Sequence, residues 1–178
     1  MVNSHHRGAE TQRNKNIKTL YLRVSGVKGI IVEPKQYDMS KINQLTEQII
    51  GAAIEVHRAF GPGLLESVYQ DCMAVELKLR GLLFEPQKPV ALEYKGYPVG
   101  TELKIDLLVA DLVVVELKSV AILLPVHEAQ LLTYLKLTQC PVGLLINFNV
   151  PVLKRGIKRM LNTSFEAQSI ETERNKKL

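Results

Sequence analysis

Tryptophan is absent from the chain, and cysteine occurs only at Cys72 and Cys140, far apart and without a CxxC spacing. That argues against a disulfide framework and a cysteine-rich zinc module, and it fits a reducing, cytoplasmic setting. Aromatic residues make up 6% of the chain, too few to suggest a platform on which single-stranded bases stack. No apolar run approaches the roughly 20 residues of a membrane span. The nearest is VAILLPV, which ends in Pro125 and Val126. The opening MVNSHHRGAETQRNKN lacks the apolar centre of a secretory signal, so the expectation is a protein neither exported nor anchored in a membrane. Also missing are GxSxG, HExxH, a Walker-type glycine loop and a dinucleotide fingerprint, which ranks the enzyme classes built on them low.

What is present begins with charge. The formal net charge of +5 is unevenly spread. Residues 1–38 hold seven Lys/Arg against three Asp/Glu, residues 154–178 hold the same balance, and the intervening 39–153 holds nine basic against twelve acidic residues. Positive ends thus flank a mildly acidic body. This argues against a broad basic groove for nucleic acid, although the charged ends can raise nonspecific attraction to phosphate.

With 46% apolar and 23% charged residues the composition is that of a globular domain. Helical periodicity starts in MSKINQLTEQIIGAAIEVHRAF, where Ile42, Leu45, Ile49, Ala53 and Val56 recur on one face. Ser40 is the expected N-cap. Residues 1–38 offer only LYLRVSG and GIIVEP as patterned fragments. The expectation is therefore a disordered or accessory leader at 1–38, a domain over 39–162 and a charged tail at 163–178. GPG at Gly61–Gly63 ends the first helix, and LLESVYQDCMAVELKLRG makes a second, stopped at Gly81. LLFEPQ, PVALEY, LKIDLLV and LVVVELKS read as strands; VHEAQLLTYLKL reads as a helix, VGLLINF as a strand and VPVLKRGIKRML as a closing helix. This order predicts an α/β domain with a central mixed sheet flanked by helices.

Asp106, Glu116 and Lys118 interrupt otherwise apolar strand runs. Glu116 and Lys118, two apart, project from one face of their strand, with Val115 and Leu117 on the other. Burying such charges is costly unless they serve each other or a bound ion. The place of Asp106 depends on the hairpin. A two-residue loop at Ala110–Asp111 sets Asp106 opposite Val115 and away from Glu116, whereas a three-residue loop, Ala110 to Leu112, sets it opposite Glu116. The sequence does not choose between them. In the second arrangement two carboxylates lie close enough to need a proton or a cation between them, and hard oxygen donors suit Mg²⁺ or Mn²⁺. Lys118 would then face the attacking water or a phosphate. The plainer reading is a solvent-facing Glu116–Lys118 pair on a half-exposed strand.

The helices add candidates. Glu66 and Tyr69 share a helix face at i and i+3, as do Gln130 and Tyr134 at i and i+4. An acid at a helix start, as Glu66 is, is also favoured by the helix dipole alone. Tyr69 suits packing or hydrogen bonding to the site more than chemistry, and Gln130 could hold a phosphate or a water. His57 and His127 are candidate site or capping residues. KRGIKR, Lys154 to Arg159, reads as a solvated helix face before it reads as a phosphate clamp.

Asp106, Glu116 and Lys118 together resemble the PD-(D/E)XK nuclease superfamily. More closely, GLLESVY, with Gly63, Glu66 and Tyr69 in the named positions, is similar to the signature of the GxxExxY protein family. IGAAIEVHRAFGPGLLESVYQ, IDLLV, VVELKSV, HEAQLLTYLKLT and VGLLINFNVPVLKRGIKR extend that resemblance over about residues 41–161. It implies a restriction-endonuclease-like fold with the active face on the hairpin strands. It also implies metal ligands at Asp106 and Glu116 with Glu66 completing the shell, Lys118 beside the attacking water, and a helical Gln130 with Tyr134 beyond it. The implied activity is Mg²⁺- or Mn²⁺-dependent hydrolysis of phosphodiester bonds in DNA, less so RNA, and homodimers follow by analogy with restriction-like folds. The alternative is a noncatalytic module that keeps the fold and binds nucleic acid or protein.

Overall fold

A computed structural model describes residues 37–162. The leader expected at 1–38 lies outside these residues except for its last two, and the tail expected at 163–178 lies outside them altogether. The chain runs through α1 (Met39–Phe60), α2 (Glu66–Leu79), β1 (Phe84–Tyr94), β2 (Tyr97–Val109), β3 (Val113–Lys118), α3 (Pro125–Thr138), β4 (Val142–Asn147), a 3₁₀ turn (Leu153–Gly156) and β5 (Ile157–Leu161).

The five strands lie side by side in chain order. Every pairing is antiparallel except β3 with β4, which is parallel and crossed over by α3. A parallel neighbour cannot be reached by a tight turn, so a helix fills the connection. One face of the sheet packs Leu107, Val109, Val113, Val115, Leu117, Leu144 and Ile146 against the apolar stripes of α1 and α2. The other packs Ile105, Leu108, Val114 and Leu145 against Leu131, Tyr134 and Leu135 of α3. β3 and β4 carry near-continuous apolar runs because both of their faces are covered. This is the mixed sheet flanked by helices that the residue patterns predict, and it agrees with the restriction-endonuclease-like fold that the resemblance implies.

Three local expectations are corrected. Asp38, not Ser40, caps α1: its Oδ1 accepts the Ser40 N–H at 3.1 Å and the Lys41 N–H at 3.4 Å, because the helix already begins at Met39. LLFEPQ and PVALEY form one strand, tolerable for Pro86 and Pro89 because β1 is a sheet edge. The closing helix is a strand. Val152, Leu153, Ile157 and Met160 suit either period, but only β5 supplies partners to the outer edge of β4, with Ile157 packing toward one face of the sheet and Met160 toward the other. Among the described residues no helix is long and apolar enough to cross a membrane.

Candidate active site

The β2–β3 hairpin pairs Leu107 with Val115, Leu108 with Val114 and Val109 with Val113. That leaves Ala110 to Leu112 as the loop, with Ala110 and Asp111 at left-handed φ of 52° and 56°. The structure therefore takes the three-residue alternative; the ladder ends at Leu107–Val115, and extending it by one residue sets Asp106 opposite Glu116. Regular alternation slips just there: Ile105 and Leu108 belong to one apolar cluster while Leu107 belongs to the other. Across from Asp106, Gln87 of β1 adopts a left-handed φ of 48° and drops out of the ladder between Pro86 and Lys88.

Four charged groups meet at this end of the hairpin. Asp106 Oδ2 accepts the Leu117 N–H at 2.8 Å. Lys118 Nζ donates to Glu116 Oε1 at 2.7 Å and lies 3.7 Å from Glu66 Oε1. Glu66 Oε2 accepts the Ser119 N–H at 3.3 Å, and Ser119 Oγ donates to the Leu64 carbonyl at 2.7 Å, which ties the start of α2 to the end of β3. Glu66 thus spends its carboxylate on the β3 end rather than on its own helix terminus. Glu116 is 2% exposed, and its Oε2 is buried without a hydrogen-bond partner among the described residues.

The electrostatics follow from that crowding. Burial first, and then the charge of Asp106, push the Glu116 carboxyl up to about 7 from an ordinary 4.5 in spite of Lys118. Asp106 is also raised, by burial against the opposing pull of the Leu117 N–H. For Lys118 burial acts to lower the value, but hydrogen bonding and attraction to Glu116, with Glu66 and Asp106 behind it, outweigh burial and raise it. Lys118 therefore stays an ammonium at neutral pH.

The remaining candidates separate. Tyr69 is fully buried, stacked on Phe148 at 4.3 Å between ring centres. Its hydroxyl donates to the Gly61 carbonyl at 2.6 Å and accepts the Leu64 N–H at 3.2 Å, so it anchors the loop that delivers Glu66. Gln130 donates to the Tyr134 hydroxyl at 3.1 Å, and among the described residues neither bonds to Glu66, Asp106 or Glu116. His57 Nε2 lies 2.8 Å from the Val150 carbonyl, and His127 Nδ1 accepts the Leu124 N–H at 3.1 Å at the start of α3. Both histidines hold backbone in place.

Three neighbours escaped the sequence reading. Gln87 donates to Gln70 Oε1 at 2.9 Å and reaches Asp106 Oδ1 at 3.4 Å. Ser119 bridges to α2 as described. Asn147, buried and in register with Lys118, accepts the Val120 N–H at 3.0 Å and donates to the Val120 carbonyl at 2.8 Å, fixing the segment beyond β3. A buried asparagine at the end of the apolar run VGLLIN was the available signal; for Gln87 there was none, since its backbone angle is a tertiary outcome.

Among the described residues no group of three His, Cys, Asp or Glu side chains is placed to hold a metal ion. Mg²⁺ does not need one, since it binds through one or two carboxylates and keeps waters and phosphate oxygens for its other positions. The bare Glu116 Oε2, electrostatically coupled to Asp106, is the kind of acceptor such an ion satisfies. The donor set fits a hard divalent cation.

No curated protein and no solved structure gives a significant match. A family profile does, over residues 43–160, which takes in α2, the hairpin, Glu66, Asp106, Glu116 and Lys118, and extends through most of β5. Matched over well more than half its length and carrying D-x₉-E-x-K on paired strands, the chain belongs to the PD-(D/E)XK nuclease superfamily.

Proposed function

We propose that this protein hydrolyses phosphodiester bonds in nucleic acid, DNA ahead of RNA, with Mg²⁺ or Mn²⁺ as cofactor. The observation that carries the reading is the coupling of Asp106, Glu116 and Lys118, with one buried carboxylate oxygen lacking a donor among the described residues. Asp106 and Glu116 would hold the cation, with the Leu117 carbonyl available as a further ligand, while Glu66, bound by the Ser119 N–H and beside Lys118, would act on the waters of the cation rather than on the ion. A bound cation would neutralise phosphate charge and lower the pKa of water. The chain's own groups do the positioning. The Leu117 N–H fixes one Asp106 oxygen, and the Gln87 amide reaches the other at 3.4 Å. Lys118, permanently charged, hydrogen-bonds the attacking water or a phosphate oxygen and stabilises the charge that builds on it. Because it keeps its proton, it orients water rather than deprotonating it.

The narrower GxxExxY assignment is supported by what its three residues do. Gly63 sits at a φ of 109°, which favours glycine, Tyr69 anchors the loop, and Glu66 reaches β3. Free Cys72 and Cys140 suit the cytoplasmic setting.

The test is cleavage of linear duplex and single-stranded DNA and of RNA by the full chain with Mg²⁺ or Mn²⁺. Asp106→Ala and Lys118→Ala should each lower the rate by about 10²–10³-fold or more, the scale of losing a group that stabilises the transition state. Cleavage surviving in Asp106→Ala would overturn the assignment of the site. A wild type that cuts nothing favours the noncatalytic module, a reading supported by Lys118 already countering Glu116 across 2.7 Å.

A further inference from the structure

The candidate site gathers three carboxylates around one lysine, whereas a nucleic acid arrives as a polyanion, so cations must receive its backbone from nearby. Most described cations are already engaged. Arg58, Arg80, Lys88 and Lys158 pair with Glu55, Glu76, Glu85 and Glu128, and Arg159 donates to Asn43 Oδ1 at 2.8 Å. Lys154 and Arg155 differ. They are adjacent in sequence and exposed, and their side chains make no ion pair or hydrogen bond among the described residues.

Their backbone is held firmly beside the site. Leu153 is buried in the core between them and Val152, and at Gly156 a side chain would overlap the Asn147 carbonyl oxygen. Asn147 is the register partner of Lys118 on the adjacent parallel strand, about 4.8 Å away by strand spacing. The Val150 carbonyl, pinned by His57, closes the same loop from α1. The 3₁₀ turn that carries the two cations is thus packed onto the strand end next to Lys118, at the carboxyl ends of the parallel pair, where open α/β sheets receive ligands.

We propose that Lys154 and Arg155 form a phosphate-binding lip that seats the nucleic-acid backbone beside Asp106, Glu116 and Lys118. The inference rests on the nuclease reading above and names the part of the protein that positions its substrate. Two such contacts release about two counterions from B-DNA, so they contribute close to 1.8 to the salt slope of binding. They position the strand without reading its sequence.

The experiment follows binding of a short fluorescent DNA duplex to the full chain across a salt series, without divalent cation so that no strand is cut. Lys154→Ala/Arg155→Ala is compared with Lys78→Ala/Lys136→Ala, which removes the same charge from two other exposed, unpaired lysines. By helical rise those lie about 18 Å along α2 from Glu66 and about 16 Å along α3 from Pro125. The lip variant should weaken binding by roughly tenfold or more at 0.1 M salt and reduce the slope by close to 2. The control variant should leave both near wild type, and thermal melting should show both variants folded. Equal losses in the two double variants, or a wild-type slope in the lip variant, would overturn the lip while leaving the nuclease reading intact. A wild type that neither binds nor cuts DNA or RNA overturns both.

Discussion

Glu116 sits at a cost. Its Oε2 has no donor among the described residues, Asp106 repels it, and its protonated form is favoured in the folded chain relative to the unfolded one. The folded state therefore binds more protons than the unfolded state between about pH 4.5 and 7, so stability contributed by this group falls as pH rises through that window. Glu116→Gln, neutral throughout, should gain stability relative to wild type across the same interval and level off above it. The relative gain should be on the order of 3 kcal/mol, less whatever Lys118 loses in counter-charge. Denaturant melts at pH 4, 6 and 8 check it; a wild-type-minus-variant difference independent of pH would remove Glu116 as the strained group. The same variant should lose cleavage. Gln87 makes a parallel case on the backbone, since its φ of 48° is costly for any side chain. Gln87→Gly should stabilise the fold by about 0.5–1 kcal/mol and slow cleavage through loss of the amide beside Asp106. A variant that loses stability would show that the amide contributes more than the strain costs.

At the level of elements, α1, α2, α3 and the β2–β3 hairpin were legible because their apolar residues repeat over enough length to exclude the other period. Where the window was short the reading went wrong. VPVLKRGIKRML fits a helix as well as a strand, and what decides is the unpaired edge of β4, which no local pattern contains. The hairpin register was open for the same kind of reason: loops of two and three residues both use Ala110 and Asp111, and the choice lies with packing on both sheet faces. The site was legible as a set of residues, Glu66, Asp106, Glu116 and Lys118, but not as a support structure. Tyr69, Asn147, Ser119 and Gln87 gain their parts only when α2, β1 and β4 converge. Tyr69 shows what that support is worth. Tyr69→Phe keeps the ring stacked on Phe148 but strips partners from the Gly61 carbonyl and the Leu64 N–H. Unsatisfied groups of this sort cost about 1–3 kcal/mol, so the melt should fall accordingly. Cleavage should weaken as well, as the loop delivering Glu66 loosens. Unchanged stability would mean that solvent or the backbone replaces both bonds.

For the folded body as a whole, the loop from Gly61 to Leu65, the segment after β3 and the turn after β4 are drawn to one end of the parallel pair by Tyr69, Ser119, Asn147 and Gly156. Glu116, the one buried charged side chain among the described residues, lies there, so a ligand that satisfies its charge should act on global stability. Any species that binds the folded chain alone stabilises it by mass action, about 2.7 kcal/mol at a hundredfold excess over Kd. Mn²⁺ or Mg²⁺ should accordingly raise the melting temperature at pH 8, with the gain growing with concentration. Protons compete for the same oxygens, so the gain should shrink as pH falls through 7, where Glu116 becomes protonated. The two pH dependences oppose each other. Metal-free protein loses the Glu116 contribution as pH rises, whereas metal-loaded protein recovers it, and the loaded curve should be the flatter one. Asp106→Ala should remove most of the metal response and leave the metal-free melt cooperative. A metal response equal at pH 5 and pH 8, or equal in wild type and Asp106→Ala, would place the ion somewhere other than between these carboxylates.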